Sequence, residues 1–110
     1  MSLSDHHAMK LIIWAKRQPK VKSLTVFGSH AKGTAGPARD IDVALELVGD
    51  EGEALGAFIP ESEGWRKQLS EFVGREVDLC LGGEAAGPKV RQGLEEASIL
   101  VYTRGAKPDF

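Results

Sequence analysis

The chain has 110 residues, a formal net charge of −2, and 42% hydrophobic against 27% charged residues, the profile of one soluble globular domain spanning 1–110. This balance excludes a disordered chain, and it supplies little of the basic charge that drives direct nucleic-acid binding. The longest N-terminal apolar run, Leu11 to Ala15, is too short for a membrane span or an export signal, and the single Cys80 cannot form an intramolecular disulfide, so a cytoplasmic protein is expected.

In chain order, Ser4 and Asp5 suit the start of a helix, and Ala8, Leu11, Ile12 and Ala15 fall on one face of it before Pro19 stops it. Residues 22–28 alternate as a short strand, and Gly28-Ser29 follows directly. Residues 30–33 allow one helical turn, and 34–39 read as a loop around Gly36 and Pro37. From Asp40 to Leu47 the alternation is strict: Ile41, Val43, Leu45 and Leu47 face one way, Asp40, Asp42, Ala44 and Glu46 the other. Residues 49–60 fit a short helix or a loop. Ser62 can cap a helix carrying Trp65, Leu69, Phe72 and Val73, with Gly74 at its end. Residues 75–81 form another strand, with Val77, Leu79 and Leu81 inward and Glu76, Asp78 and Cys80 opposite; Gly82-Gly83 ends it. Pro88 opens a last helix with Val90 and Leu94, and Ile99–Thr103 is a final strand. The order predicts an α/β (α+β) domain, one sheet with helices packed on it.

Charge is uneven along the chain. Residues 1–43 carry seven Lys or Arg against three acids, and residues 44–87 carry three against ten. Two solvated faces account for this; so does a basic rim beside an acidic site, which would suit an anionic substrate.

The chemistry concentrates in Gly28-Ser29 followed by Asp40-Ile41-Asp42. Strand alternation forces Asp40 and Asp42 to one side, where like charges repel unless a cation offsets them. Magnesium suits such a pair, because it takes one or two carboxylates together with substrate phosphates. Gly28 lets the backbone turn and approach a ligand, and N–H groups from Ser29 onward, with the Ser29 hydroxyl, can donate to phosphate.

Gly28-Ser29-His30-Ala31-Lys32-Gly33 with Asp40-Ile41-Asp42 resembles the signature of the DNA polymerase β-like nucleotidyltransferases, and most nearly that of the minimal nucleotidyltransferase (MNT) family. The likeness spans most of the chain. It implies the polymerase β-like fold, a small mixed sheet with helices on it, and Mg²⁺ as the cofactor. It implies Asp78 as a third carboxylate beside Asp40 and Asp42, all three metal-holding and catalytic, and Lys32 as a basic phosphate-side residue with Gly28, Ser29 and Arg39. The chain departs from the pattern at Arg39, where the family often has serine, and at His30, where it commonly has arginine. Both departures touch phosphate contacts and leave the metal ligands intact.

Each residue also has a plainer reading. Asp40, Asp42 and Asp78 can be the polar face of half-exposed strands, and Gly28-Ser29 an ordinary turn. His6 and His7 point in different directions on a helix and read as surface residues; His30 reads as a surface or phosphate-side residue. Trp65 and Phe72 read as core, and Cys80 as inert core.

By resemblance, the chain is expected to move AMP from ATP to an acceptor hydroxyl. A chain of this length has no second domain to grip a nucleic acid or a small acceptor, which leaves a partner protein. The family commonly supplies antitoxins that bind and adenylylate a HEPN-domain toxin. The alternative is a non-catalytic nucleotide- or partner-binding module, in which Arg39 salt-bridges Asp40 in place of a metal. A third reading is a detached subunit for a small molecule, completed by a helical chain. Oligomeric state is left open.

Overall fold

The computed structural model describes residues 5–33 and 40–104, apart from the side chain of Glu84. The expectations placed on Ser4, on the 34–39 loop and on Arg39 lie outside the described residues. The elements run α1 (Asp5–Lys16), β1 (Val21–Phe27), α2 (Ser29–Lys32), β2 (Ile41–Leu47), α3 (Glu51–Val73), β3 (Val77–Leu81), a 3₁₀ turn (Gly83–Ala85), α4 (Pro88–Glu96) and β4 (Ser98–Thr103). The four strands form one sheet in the order β3-β2-β1-β4. β2 pairs in parallel with β3, while β1 is antiparallel to both β2 and β4, so the sheet is mixed, as expected.

Burial follows the period-two pattern. Leu24, Val26, Ile41, Val43, Leu45, Val77 and Leu81 turn to one face and pack against Leu11, Trp14 and Ala15 of α1 and Trp65, Leu69 and Val73 of α3. The two helices meet through Trp14 and Trp65, whose rings stand 6.0 Å apart edge to face. Trp65 is core, as its position in the sequence indicates. Phe72 lies only half-buried at the margin, with Lys10 and Arg17 over its ring.

α3 corrects the reading of residues 49–62. It is one 23-residue helix that passes through Pro60. Asp50, not Ser62, caps it: the Asp50 carboxylate accepts from Glu53 N–H at 2.8 Å, and the Glu53 side chain accepts from Asp50 N–H at 3.1 Å. This reciprocal capping box fixes the helix start twelve residues earlier than Ser62 would. Pro60 survives inside because it and Gly56, whose carbonyl would have received its N–H, are both exposed. Water can take the place of the missing bond.

At the other end of α3, Gly74 and Arg75 N–H both donate to the Ser70 carbonyl, and Val77 N–H donates to Ser70 Oγ at 3.0 Å. Ser70 therefore places the first residue of β3 directly, and with it the neighbouring Asp78. Arg104, just past β4, reaches back across the fold. Its Nε donates to the Val21 carbonyl at 2.8 Å, and its Nη2 donates to the carbonyls of Ala15 and Gln18, each at 2.9 Å. A cation at these carbonyls offsets the partial negative charge where α1 ends. Among the described residues, no helix is long and apolar enough to cross a membrane.

Candidate active site

The face of the sheet opposite the core carries the acids. Asp42 alternates with the buried Ile41 and Val43, and it is the register partner of Asp78 on the adjacent parallel strand. Partners in register project to the same face, so two carboxylates predicted from separate parts of the sequence stand side by side. Asp42 is half-buried and Asp78 exposed. Asp40 stands one residue before β2 and is exposed, and the next residue, Ile41, donates its N–H to the Glu76 carbonyl at 3.0 Å.

Gly28 closes against this pair. Its φ of 74° and ψ of −147° belong to a region that residues with a side chain avoid. A Cβ placed on it would come within 2.5 Å of Asp42 Oδ2. The close approach that the sequence suggests for a ligand is thus made, within the protein, by the carboxylate of Asp42.

Cys80 lies on the same face, two residues beyond Asp78. Its Sγ sits 3.5 Å from the Val43 carbonyl, to which the thiol donates. It is only half-buried, which corrects its assignment to the core; the alternation that sets it beside Asp78 had already put it on the polar face. Burial, then the charges of Asp78 and Asp42, push its thiol up to about 12. Because the folded-state value is raised, the proton is held more tightly in the folded chain. This contribution to stability is complete below the unfolded thiol's ordinary range and is lost as pH climbs from there toward 12. At pH 8 we expect iodoacetamide to label Cys80 at least about tenfold more slowly in the folded chain than in urea. Equal labelling rates, followed by mass spectrometry, would refute the protonated thiol.

The phosphate-side residues cluster at α2. Ser29 begins this single turn and Gly28 precedes it; Lys32 N–H donates to the Gly28 carbonyl at 3.0 Å. The Lys32 ammonium pairs with Glu96 Oε2 at 3.0 Å, an exposed contact that holds the Glu96 carboxyl below its usual range. Solvent screens an exposed pair of this kind, so Lys32 is available to a stronger anion. His30 is 2% exposed, which corrects its reading as a surface residue. The turn is too short to present all its side chains outward, and His30 takes the inward position. His7, also expected at the surface, is half-buried, and its imidazole is held below the usual range first by burial and then by Arg75, His6, His30 and Lys10. A group of basic side chains therefore gathers behind α2.

α4 lies on the carboxylate face. A Cβ at Gly93 would stand 2.9 Å from Phe27 Cδ2, so the helix rests directly on that ring. Phe27 in turn is the register partner of Asp42. Sequence reading missed this wall of the site, although a glycine inside a helical pattern is a recognised sign of close packing.

Among the described residues, no three His, Cys, Asp or Glu side chains form a group that could by itself hold a metal ion. Magnesium does not ask for such a cage, because it keeps waters and phosphate oxygens among its ligands. Hard-oxygen donors at Asp40 and Asp42, with Asp78 opposite Asp42, fit that requirement; the soft thiol of Cys80 stays protonated and does not compete.

Residues 10–101 match the nucleotidyltransferase domain family. Two Methanocaldococcus jannaschii proteins, both provisionally named protein adenylyltransferases, are 34% and 30% identical to the chain over 86 residues, 78% of this chain and 82% of each relative. The chain therefore belongs to the nucleotidyltransferase domain family. One chain of a toxin–antitoxin complex crystallised with AMP-PNP superposes with a TM-score of 0.66 at 20% identity, covering 89% of this chain and 74% of that one. A chain from the complex of a tri-AMPylated Shewanella oneidensis HEPN toxin with its MNT antitoxin gives 0.62 at 18% identity, covering 88% and 70%. At these identities the superpositions speak for the fold, which is that of the polymerase β-like nucleotidyltransferases.

Proposed function

We propose that this nucleotidyltransferase moves AMP from Mg²⁺-bound ATP to a hydroxyl on a partner protein in the cytoplasm, as the antitoxin of a HEPN-type toxin. The observation that carries the reading is the register pairing of Asp42 with Asp78 beside Gly28. The protein acceptor is supported by the names of the relatives, and the HEPN partner by the toxin–antitoxin complexes among the structural neighbours.

Asp40 and Asp42 would hold the metal, with Asp78 completing the site. When bound, Mg²⁺ supplies orientation of the triphosphate and an offset for charge on the attacking and leaving oxygens. Gly28 and Ser29 start the turn that faces the phosphates, and Lys32 exchanges Glu96 for a phosphate oxygen; Arg39 adds a second cation beside Asp40. Asp78 takes the proton of the acceptor hydroxyl. That oxygen bonds to the α-phosphorus, the bond from the α-phosphorus to the bridging oxygen breaks, and pyrophosphate leaves.

Calorimetry tests the first requirement. Wild type is expected to bind ATP only with Mg²⁺ present, and Asp42→Asn to bind it about tenfold more weakly, since one of two paired charges is gone. Equal affinities for wild type and Asp42→Asn would sink the metal assignment. Magnesium-independent binding in wild type would favour the second reading, a binding module in which Arg39 stands in for the cation.

A further inference from the structure

α4 is held in place by little. None of its residues is buried. The Lys32–Glu96 pair, a bond from Arg91 Nε to the Ala86 carbonyl at 2.9 Å, and the contact of Gly93 with the Phe27 ring help to hold it. Glycine is a poor helix former, and Gly93 sits inside a nine-residue helix. Here the absent side chain is what lets helix and ring touch: an added Cβ would lie 2.9 Å from Phe27 Cδ2 and 3.1 Å from Cε2.

Phe27 connects that seat to the acids. It precedes Gly28 in the chain and lies opposite Asp42 in the β1–β2 ladder, while Asp42 lies opposite Asp78 in the β2–β3 ladder. Four side-chain positions on one face therefore run Gly93, Phe27, Asp42, Asp78. The helix rests on Phe27 through Gly93, and the ladder carries on from Phe27 to the two acids.

We propose that Gly93 is a positioning residue: it seats α4 on Phe27, the register partner of Asp42, and so sets where the helix lies relative to the acid-bearing strands. Its catalytic consequence rests on the nucleotidyl-transfer reading above. A methyl group at position 93 must move α4 or the Phe27 ring, and either disturbs the neighbour of Asp42. Misplacement of reacting groups by about 1 Å can cost on the order of a hundredfold in rate, so a smaller adjustment is given about tenfold.

The test compares wild type, Gly93→Ala, Phe27→Leu and the double variant. In ¹⁵N spectra, Gly93→Ala is expected to move the backbone signals of α4, Phe27, Asp42 and Asp78, and the smaller side chain of the double variant to return the two Asp signals toward wild type. Transfer of α-labelled AMP to the acceptor should fall about tenfold in turnover, with KM for ATP within about threefold and recovery in the double variant. Unmoved Asp42 and Asp78 signals overturn the seat whether or not the chain transfers nucleotide. So does a loss of turnover that merely follows a loss of folded protein. If wild type transfers nothing, the nucleotidyl-transfer reading falls and the spectra alone decide the seat. If Gly93→Ala does not fold, Phe27→Leu alone must move the same Asp signals, or the proposal is lost.

Discussion

Asp78→Asn is expected to bind ATP–Mg²⁺ within about threefold of wild type and yet to label its acceptor a hundred to a thousand times more slowly. Asp78 is the exposed member of the register pair, on the later strand, and so the carboxylate open to an incoming hydroxyl. Asparagine keeps its shape and loses both its charge and its ability to take a proton. A group that acts mainly in the transition state affects rate while leaving ground-state binding nearly intact. Loss of one such electrostatic contact costs about 2.7–4 kcal/mol. A nucleotide titration beside a labelling time course checks both halves. Labelling at the wild-type rate would remove Asp78 from the chemistry, and a wild type that labels nothing would return the chain to the binding-module reading.

Gly28→Ala is expected to damage both stability and nucleotide binding. The backbone at Gly28 has φ 74° and ψ −147°, a combination that costs a residue with a side chain about 1–3 kcal/mol. For a domain of this size, each 1 kcal/mol lowers the melting temperature by about 4–8 °C. To this is added the collision with Asp42 Oδ2, which would stand 2.5 Å from the new methyl group. Relief requires the carboxylate to swing away or the turn before α2 to move, and either separates Asp42, the proposed metal ligand, from Gly28 and Ser29, the proposed phosphate contacts. We expect affinity for ATP–Mg²⁺ to fall more than about tenfold in the protein that remains folded. Gly33→Ala separates the two causes. Gly33 also has positive φ, at 79°, but no described residue lies within 4 Å of an added Cβ. It should cost stability while leaving nucleotide affinity unchanged. Equal binding losses in the two variants would show that backbone strain alone, not contact with Asp42, is responsible.

How legible each part was depends on how local its cause is. Strand alternation is local, and it placed Asp42, Asp78 and Cys80 on the polar face of their strands before any pairing was known. That Asp42 lies opposite Asp78 is a matter of register, which no single strand encodes; the family resemblance supplied it, and the ladder geometry gives it form. The long α3 was misread because Pro60 is a strong local stop signal, while the capping box at Asp50 and Glu53 and the outward position of Pro60 decide the outcome. The surface alternative for His30 failed because a four-residue turn has no periodicity from which to read an inward face. Gly93 went unremarked because its reason lies in Phe27, far away in sequence, and Ser70 because its service to Val77 depends on how the chain turns after α3. The chemistry-bearing acids were visible from the chain alone; what holds them in place was not.

The Arg104 guanidinium grips backbone between Ala15 and Val21, at sequence separations of 83 to 89 residues. It is a buckle between the two ends of the described chain. The entropy of closing so long a loop must be met before those bonds can form, so this contact belongs to the late stages of folding. Once made, it denies the first helix and the last strand any independent fraying, since neither can peel away without stripping the other of charge-assisted bonds. The buckle ties opening of the last strand to loss of the bonds at the end of α1 and the start of β1, so this edge of the sheet opens as one unit.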